Sequence, residues 1–531
     1  MATLPQDRTT VRMTEDQASA ILKGLPARIC DVVEPWAERS PDHPALVEAS
    51  GTWTYQQLAT VISETHKWLI EAGVRPGDRV MIVCENCRAF VAVLLALTRL
   101  GAWPVLVNAH LSAREVDEIK AHCGARRVIY TTSVSPRATE HAKRSGALIA
   151  EAAGLGVIGL GPLDDEVQPE ALDRDAASNV GALIYTSGTT GLPKGVMLTH
   201  RNLLFMAAGA AKIRSVNPED RLYGALPMSH AVGLSVVLLG TLLSGATLHL
   251  VPRFDPITAS VSLIRDNLTI FLGVPAMFVQ LLQYAKLRGY TSLNCPALRI
   301  ISSSGAPLQP AVKSSIEGLV GLNLHNGYGV TECSPTIAQT RIDEPRSDTA
   351  VGKPFPGVEV KLVGADGRPV ADGEVGEVRV RGPNVMKGYY HAAAETAAAI
   401  DSEGWFNTRD LGRMENGNLS IVGRTKELIV HLGLNVYPVE VEAVLNAHPA
   451  VLRSAVIGRS VHGDEEILAF VQLSPGASLT ATELAQYAAA NLASYKRPSR
   501  FLFVPDMPLT ATGKIVKGQL AEMTELAAPK R

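Results

Sequence analysis

The sequence predicts an α/β fold, with a large N-terminal domain of βαβ-built sheets and an antiparallel β subdomain, followed by a small α+β C-terminal domain. Apolar strand and helix segments alternate up to about residue 355, which is typical of sheets with helices on their faces. Beyond that point the pattern has period two, and after residue 427 short helices and strands return. At 531 residues the chain exceeds what one core usually organises, so we expect two or more domains.

The βαβ units are predicted first around residues 78–108, where an apolar helix ending at Gly101 lies between two buried strands. Glycine supports this helix end because it readily adopts the left-handed conformation in which many helices stop. Strand followed by helix returns at residues 269–289 and at residues 298–321. These repeats predict a sheet covered by helices.

The antiparallel subdomain is predicted from residues 357–383, where alternating apolar residues surround the turn sequences GADG and ADGE. We assign residues 427–531 to the second, smaller domain. Its predicted elements are helices at 437–449 and 480–492 and strands at 451–459 and 465–473.

The composition excludes several classes of protein. Hydrophobic residues at 46% and charged residues at 19% argue against disorder, and a net charge of -2 argues against a dedicated nucleic-acid binder. The N-terminal residues lack the basic and apolar segments of a secretory signal. The longest apolar stretch, residues 231–243, is short for a membrane span, so we expect a buried helix and no transmembrane segment.

The six cysteines are too few for a disulfide framework in so long a chain, and a reducing, cytoplasmic location fits them better. Cys84 and Cys87 have CxxC spacing, but no second pair of ligands completes a metal site. We therefore expect buried thiols at a strand-to-helix turn. The sequence leaves a homo-oligomer open.

Residues 185–195, YTSGTTGLPKG, combine three glycines, five hydroxyl side chains and one lysine after a predicted strand. Glycines can turn consecutive N–H groups toward one anion, hydroxyls add donors and Lys194 adds positive charge, so this glycine loop suits phosphate. A Walker A loop needs glycine before the lysine and serine or threonine after it, whereas Pro193 and Gly195 stand there. A surface hairpin rich in turn residues is the plain alternative.

Seven ordered motifs resemble those of the adenylate-forming superfamily, which includes acyl- and aryl-CoA synthetases, firefly luciferase and the adenylation domains of nonribosomal peptide synthetases. The resemblance runs from about residue 30 to about residue 520 and is far more specific than one glycine loop. The motifs are YTSGTTGLPKG (185–195), LPMSH (226–230), SSGAPL (303–308), NGYGVTE (326–332), GWFNTRDLGR (404–413), GRTKELIVHLGLNVYPVEVE (423–442) and PLTATGKIVK (508–517).

The resemblance implies a two-step reaction that uses ATP, Mg²⁺ and CoA. A small carboxylic acid would attack the α-phosphorus of ATP to give an acyl-adenylate and pyrophosphate, and a thiol would then displace AMP. The favoured function is an AMP-forming acyl-CoA synthetase. One alternative is an enzyme that passes the acyl group to a carrier protein or another acceptor. A non-enzymatic nucleotide-binding protein is the other.

The resemblance also implies which residues hold the phosphates and the metal. Thr331 would offer its hydroxyl to the α-phosphate, and Glu332 and Thr186 would bind Mg²⁺, which prefers oxygen ligands. The residues expected around the β- and γ-phosphates are Thr186, Ser187, Gly188, Thr189, Thr190, Gly191 and Lys194.

For the adenosine, the resemblance implies that Tyr328 offers its flat face to adenine. Asp410 would take the ribose hydroxyls, with Arg424 beside it. Arg409 departs from the superfamily pattern, which usually has glycine before this aspartate, and the departure puts the local loop geometry in question. The other residues expected around the nucleotide are Ser304, Gly305, Ala306, Asn326, Gly327 and Gly329.

Lys514 matches the adenylation lysine of the superfamily. Because it belongs to the small domain, its reach to the α-phosphate implies a mobile C-terminal domain, with residues 1–425 and 427–531 joined by a hinge at Lys426. Gly433 matches the position beside the pantetheine tunnel for CoA.

His230 resembles the gate residue near the carboxylate and the thiol path. The residues expected around the acyl group are small or apolar and include no carboxylate for the ammonium group of an amino acid. An aliphatic or aromatic monocarboxylate is therefore favoured. The expected pocket residues are Ala231, Val232, Leu234, Val237, residues 273–278, Gly327, Gly329 and Val330.

Overall fold

The computed structural model describes residues 15–152, 154–186, 194–432, 434–461, 464–509 and 515–526. Two large sheets and a four-stranded antiparallel sheet form the N-terminal part, and smaller sheets with helices form the C-terminal part. This arrangement confirms the predicted α/β fold with its large and small domains.

The strands and helices of the N-terminal part are numbered in chain order. The strands are β1 (Pro44–Glu48), β2 (Gly51–Thr54), β3 (Arg79–Cys84), β4 (Trp103–Asn108), β5 (Arg127–Tyr130), β6 (Leu148–Ala152), β7 (Gly156–Leu160), β8 (Val180–Thr186), β9 (Lys194–Thr199), β10 (Arg221–Gly224), β11 (Thr247–Leu250), β12 (Ile270–Gly273), β13 (Ile300–Ser303), β14 (Leu324–Gly329), β15 (Thr336–Gln339), β16 (Lys353–Pro354), β17 (Glu359–Val363), β18 (Val375–Arg381), β19 (Gly388–Tyr389), β20 (Phe406–Glu415) and β21 (Asn418–Arg424). The helices are α1 (Glu15–Leu22), α2 (Glu34–Arg39), α3 (Tyr55–Glu71), α4 (Arg88–Leu100), α5 (Ala113–Cys123), α6 (Pro136–Arg144), α7 (His200–Ile213), α8 (Gly240–Leu243), α9 (Pro256–Arg265), α10 (Pro275–Arg288), α11 (Pro310–Val320) and α12 (Ala393–Ala399).

The two large sheets are mainly parallel. The first has the order β19-β9-β8-β4-β3-β5-β7-β6, with β8, β4, β3 and β5 parallel. The second has the order β16-β15-β14-β13-β12-β10-β11-β1-β2, and its strands from β14 to β1 are parallel. One continuous hydrophobic core contains side chains from both sheets and from α4 and α7. The parallel strands therefore end at shared edges, where loops can meet around a ligand.

Helix α4 shows how the sequence produces a βαβ unit. Cys87 accepts a hydrogen bond from the backbone N–H of Phe90 (3.4 Å) at the start of the helix, and Gly101 ends it with φ +80°. All residues from Ala89 to Thr98 are buried, which explains why the segment is apolar on every face. Cys84 is buried as well, and burial raises the pKa of the Cys87 thiol to about 12. The predicted βαβ unit and buried thiols are confirmed.

The apolar stretch at residues 231–243 is a buried helix, as predicted. It forms a π-helix, Val232–Leu239, that continues into α8. Gly233 lies so close to the preceding turn that an added Cβ would be 2.2 Å from the carbonyl oxygen of Pro227. Among the described helices, none combines the length and the apolar character that crossing a membrane requires.

The predicted antiparallel pairing of β17 and β18 is confirmed, within a sheet of order β17-β18-β20-β21. The C-terminal part has its own hydrophobic clusters and the predicted helices and strands. Its elements are β22 (Ile429–His431), β23 (Leu434–Val436), α13 (Pro438–Asn446), β24 (Val451–Val461), β25 (Asp464–Leu473), α14 (Ala481–Asn491), β26 (Arg500–Phe503) and α15 (Lys517–Leu526).

Candidate active site

The site lies where the parallel strands β12, β13 and β14 end. Their register places Gly273 beside Ser303, and Ser303 beside Asn326, so the segments that follow β13 and β14 lie next to each other. Ser304, Gly305 and Ala306 follow β13, and Gly305 has φ +85°, which glycine adopts without strain. The structure thus brings together the two segments that were expected around the nucleotide.

Tyr328, Asp410 and Arg424 form one hydrogen-bonded cluster. The Tyr328 hydroxyl donates to Asp410 Oδ2 (2.6 Å), and Arg424 Nε donates to Asp410 Oδ1 (2.9 Å). Asp410 and Arg424 face each other across β20 and β21, and Asp410 is only 3% exposed. Burial, followed by the nearby Asp410 carboxylate, raises the pKa of Tyr328. The carboxylate is therefore oriented from both sides by fixed donors.

Arg409 precedes this aspartate in the left-handed conformation, with φ +61°. Strand β20 has a bulge at this point: its three residues 408–410 lie opposite the single residue Val378 of β18. Thr408 holds the bulge through Oγ1, which donates to the Val378 carbonyl (2.8 Å) and accepts from the Asp410 N–H (3.1 Å). Left-handed backbone costs a residue with a side chain about 1–2 kcal/mol. The structure thus answers the question of loop geometry: Arg409 keeps the conformation that glycine adopts without this cost.

A second cluster joins the glycine loop to Glu332. Thr186 and Lys194 face each other at the ends of β8 and β9, on either side of the loop. Lys194 Nζ lies 5.1 Å from the ring centroid of Tyr389, and the Tyr389 hydroxyl donates to Glu332 Oε1 (2.9 Å). Burial and then the Glu332 carboxylate raise the pKa of Tyr389, so the phenol stays protonated and can donate.

Sequence reasoning missed Tyr389. It belongs to β19, a two-residue strand that pairs with β9 from far along the chain. A pair this short has no periodic signal, and only the adjacent aromatic residues Tyr389 and Tyr390 could have drawn attention to it.

The metal ligands fit Mg²⁺ only together with a phosphate. Glu332 and Thr331 lie in a short helical turn, Thr331–Cys333, and both are partly exposed. In the part of the chain that the structure describes, no group of three His, Cys, Asp or Glu side chains could hold a metal ion. Mg²⁺ is commonly bound by one or two protein oxygens plus substrate phosphates and water, and the single carboxylate of Glu332 suits that mode.

Asn326 and Lys426 have contrasting surroundings. The Asn326 side chain is buried, donates to the Thr349 carbonyl (2.8 Å) and accepts from the Gly327 N–H (3.1 Å), so it holds the end of β14 in place. Lys426 is exposed in the turn Thr425–Glu427 between β21 and β22. This turn connects the antiparallel sheet to the C-terminal part.

His230 lies close before the π-helix Val232–Leu239. Its carbonyl accepts from the N–H of Leu234 (2.9 Å), and the neighbouring Ala231 is buried.

Two glycines at the end of β14 differ in the space around them. A Cβ on Gly329 would lie 2.0 Å from the Pro335 carbonyl oxygen, whereas a Cβ on Gly327 would meet nothing closer than 3.7 Å.

Several expected site residues lie outside the described residues, so the structure says nothing of their placement. They are Ser187, Gly188, Thr189, Thr190, Gly191, Gly433 and Lys514.

A buried carboxylate bonded to Tyr328, and a lysine and a second carboxylate that share Tyr389, are groups that indicate a nucleotide-binding enzyme in an α/β fold. The chain belongs to the AMP-binding enzyme family, whose model matches residues 33–390, and the model of the AMP-binding enzyme C-terminal domain matches residues 440–514. The resemblance to the adenylate-forming superfamily is thereby confirmed.

Individual relatives agree with this family. Feruloyl-CoA synthase from Amycolatopsis is 35% identical over 487 residues, which cover 91% of this chain and 96% of that protein. A long-chain-fatty-acid–CoA ligase from Bacillus subtilis is 29% identical over 526 residues, with 92% of each chain covered. The structure of o-succinylbenzoate CoA synthetase from Bacillus subtilis with ATP and magnesium has a TM-score of 0.79 and 29% identity, and it covers 92% of this chain and 99% of that one.

Proposed function

We propose that this chain is an ATP-dependent, AMP-forming acyl-CoA synthetase, an acid–thiol ligase that activates a monocarboxylic acid. The observation that carries the proposal is the pairing of two clusters around the end of β14, where Tyr328 and Glu332 lie close together in the chain. Tyr328, Asp410 and Arg424 suit the adenosine, and Lys194 and Glu332 suit the polyphosphate and its metal. The family to which the chain belongs, with relatives that are CoA ligases, supports the same reaction.

In the first step a carboxylate oxygen of the acid attacks the α-phosphorus of ATP. The bond between the α-phosphorus and the bridging oxygen breaks, and pyrophosphate leaves with both electrons of that bond. Two anions must approach each other, so the step needs positive charge and fixed donors around the phosphates. We assign this role to Lys194, the glycine loop, Thr331 and Lys514.

The metal would be held by Glu332, with Thr186 as a second oxygen ligand. When bound, Mg²⁺ supplies charge neutralisation at the phosphate oxygens. The hydrogen bond from Tyr389 fixes one oxygen of Glu332 and leaves the other available. Tyr389 thereby orients the carboxylate and sets the distance between it and Lys194.

In the second step the thiol sulfur of CoA attacks the acyl carbonyl carbon, and AMP leaves as the bond from the carbonyl carbon to the phosphate oxygen breaks. The thiol releases its proton during this step. We assign His230 to the junction of the acyl and thiol paths and Gly433 to the pantetheine tunnel. The exposed turn at Lys426 is the proposed hinge that lets the domain of residues 427–531 rearrange between the steps.

The acid itself is proposed to be an aliphatic or aromatic monocarboxylate. We expect the apolar π-helix Val232–Leu239 and the glycines of β14 to line the acyl pocket. Relatives named for ferulate and for long-chain fatty acids both fit such a pocket, so fatty-acid metabolism and aryl-acid activation are the two settings to test.

We also propose a cytoplasmic location. All six cysteines are free thiols, and five of them are buried, which fits a reducing compartment. A homo-oligomer is a further possibility to measure.

The test is the release of pyrophosphate and AMP from ATP and Mg²⁺ against a panel of fatty, aryl and dicarboxylic acids, each with and without CoA. We expect AMP production that depends on one acid class and on CoA. Lys514→Ala should reduce adenylate formation at least about 100-fold, because this lysine is assigned the positive charge at the α-phosphate. Lys361→Ala, a change at a lysine that packs on Trp405, is the matched control and should keep full activity.

Two results would contradict the proposal. Adenylate that CoA fails to turn over would favour a carrier protein or another acceptor. Full adenylation by Lys514→Ala would remove the assigned catalytic lysine and with it the assigned first step.

A further inference from the structure

Lys517 is a partly buried lysine that lies between two carboxylates of the C-terminal part. Its Nζ is 2.8 Å from Glu442 Oε1 and 3.0 Å from Glu427 Oε2. The side chain of Lys517 is 20% exposed, and those of Glu442 and Glu427 are 13% and 29% exposed. Burial lowers the pKa of Lys517, but the two carboxylates raise it by more, so the ammonium stays charged. The lysine therefore joins two segments that are distant in the chain.

The two carboxylates belong to different parts of the structure. Glu442 lies on α13, and its Oε1 also accepts from the N–H of Val456 in β24 (2.8 Å), so it is part of the packed body of the C-terminal part. Glu427 ends the turn Thr425–Glu427 that joins β21 to β22, and Lys517 is its only ion-pair partner among the described residues. Lys517 thus holds the end of this turn on the C-terminal part.

The start of the same turn is held by the antiparallel sheet. Arg424 lies opposite Asp410 in the register of β21 and β20. The Thr425 hydroxyl donates to Glu377 Oε1 of β18 (3.2 Å). Lys426 follows and is exposed, and in the part of the chain that the structure describes its side chain has no ion pair and no hydrogen bond. The residues on either side of Lys426 are therefore each fixed, one to each part of the molecule.

We propose that Lys517 is a positioning residue for the domain rearrangement between the two reaction steps: by holding Glu427, it confines the change in backbone conformation to Lys426. One residue contributes only two freely rotating backbone dihedral angles, so the C-terminal part can take few orientations. If several residues of the turn were loose, the same part would sample many unproductive orientations. The inference rests on the proposed function, in which the domains rearrange between adenylation and thioester formation.

Hydrogen exchange of the full chain, read by mass spectrometry, tests the contact without substrates. Glu427→Gln weakens the ion pair and leaves Lys517 bound to Glu442. We expect amide exchange in residues 424–430 to become about 5- to 30-fold faster, the size of a hydrogen bond to a charged group that is reduced by partial exposure. Strands β24 and β25 should keep the exchange rates of the parent chain.

Two changes at Lys517 examine the same contact from the other side. Lys517→Gln removes the cation and should speed exchange in residues 424–430 at least as much as Glu427→Gln does. Lys517→Arg keeps a cation between the carboxylates, so exchange in this segment should stay within about 3-fold of the parent.

Glu440→Gln is the matched control. Glu440 lies on α13 and pairs with Lys496, and their side chains are 30% and 23% exposed, so the variant weakens a similar pair that does not include the turn. Its exchange in residues 424–430 and its turnover should equal those of the parent. In contrast, Glu427→Gln should lower kcat for acyl-CoA formation about 3- to 10-fold and change the KM for ATP less than about 2-fold, because ATP is assigned to the N-terminal part.

The outcomes separate this inference from the proposed function. If the parent chain forms acyl-CoA and neither Glu427→Gln nor Lys517→Gln speeds exchange in residues 424–430, the inference is wrong while the function stands. Equal acceleration in β24 and β25 of Glu427→Gln would also overturn it, because the ion pair would then stabilise the C-terminal part as a whole. A parent chain that forms no adenylate with any acid would overturn the proposed function, and with it the role assigned to Lys517.

Discussion

The two ends of the candidate nucleotide site are built differently. At the adenosine end, Asp410 is buried and receives hydrogen bonds from side chains on two other strands, Tyr328 and Arg424. At the phosphate end, Lys194 stands at the root of a hairpin and Tyr389 on a two-residue strand, and the contact between them is one cation–π interaction. The first end is pre-organised within the fold, which favours tight and specific positioning of the nucleoside. At the phosphate end, the bound anion would fix the positions of the charged side chains. This suits pyrophosphate, which must leave after the first step.

The largest expected effect comes from breaking the adenosine end. Asp410→Ala removes the shared acceptor of two donors, so Tyr328 and Arg424 lose their partner. We expect a loss of about 2–4 kcal/mol in the free energy of unfolding and at least about a 100-fold loss in kcat/KM for ATP. Urea unfolding and pyrophosphate exchange measure the two. Asp410→Asn, which keeps the shape, should recover part of the stability but little of the activity. A stable Asp410→Ala with unchanged KM for ATP would refute the assigned contact.

The adenosine end should also impose an acid limit on stability, through His325 on the same strand as Tyr328. Burial first, then Arg214 and Lys313, lower the pKa of His325 to about 4. The folded pKa is depressed, so the unfolded chain takes up a proton at a higher pH than the folded chain. The stability contributed by neutral His325 is complete above pH 6.5 and is lost as the pH falls from about 6.5 to about 4, by up to about 1.4 kcal/mol per pH unit.

Urea unfolding between pH 4 and pH 7.5 checks this prediction, with His325→Gln as the comparison. The variant should show a shallower dependence over that window. An identical slope in both chains would mean that other groups set the acid limit.

The smallest effect is expected at the phosphate end. Tyr389→Phe keeps the ring under Lys194 and removes only the hydroxyl that donates to Glu332. We expect the Mg²⁺ concentration for half-maximal activity to rise about 3- to 10-fold, the worth of one hydrogen bond to a charged group, with stability nearly unchanged. Titrations of Mg²⁺ at saturating ATP measure this. A loss of activity and stability as large as that expected for Asp410→Ala would contradict the proposed difference between the two ends of the site.

Sequence reasoning succeeded where local signals were sufficient. The helix that ends at Gly101 and the antiparallel pair of β17 and β18 follow from residue periodicity and from turn residues close in the chain. The motif resemblance also placed Asp410 and Arg424 together, and the structure explains why: they are opposite residues in the register of two neighbouring strands.

The rest depends on contacts between distant segments. Tyr389 reaches Glu332 only because β19 adds to the edge of the first sheet. A strand of two residues has no periodic pattern from which that pairing could be predicted. The left-handed backbone of Arg409 is equally hidden, since arginine rarely adopts it and the bulge that imposes it involves β18 as well as β20.

Within the proposed acyl pocket, the unequal space around the two glycines of β14 decides which of them a redesign of the substrate range can change. Any larger residue at Gly329 would collide with the Pro335 carbonyl, a backbone group that cannot turn aside as a side chain can. Gly327 has room for a methyl group, so alanine there could shorten the acids that fit without disturbing the chain. A library aimed at new substrates should therefore vary Gly327, Val232 and Val330 and leave Gly329 untouched.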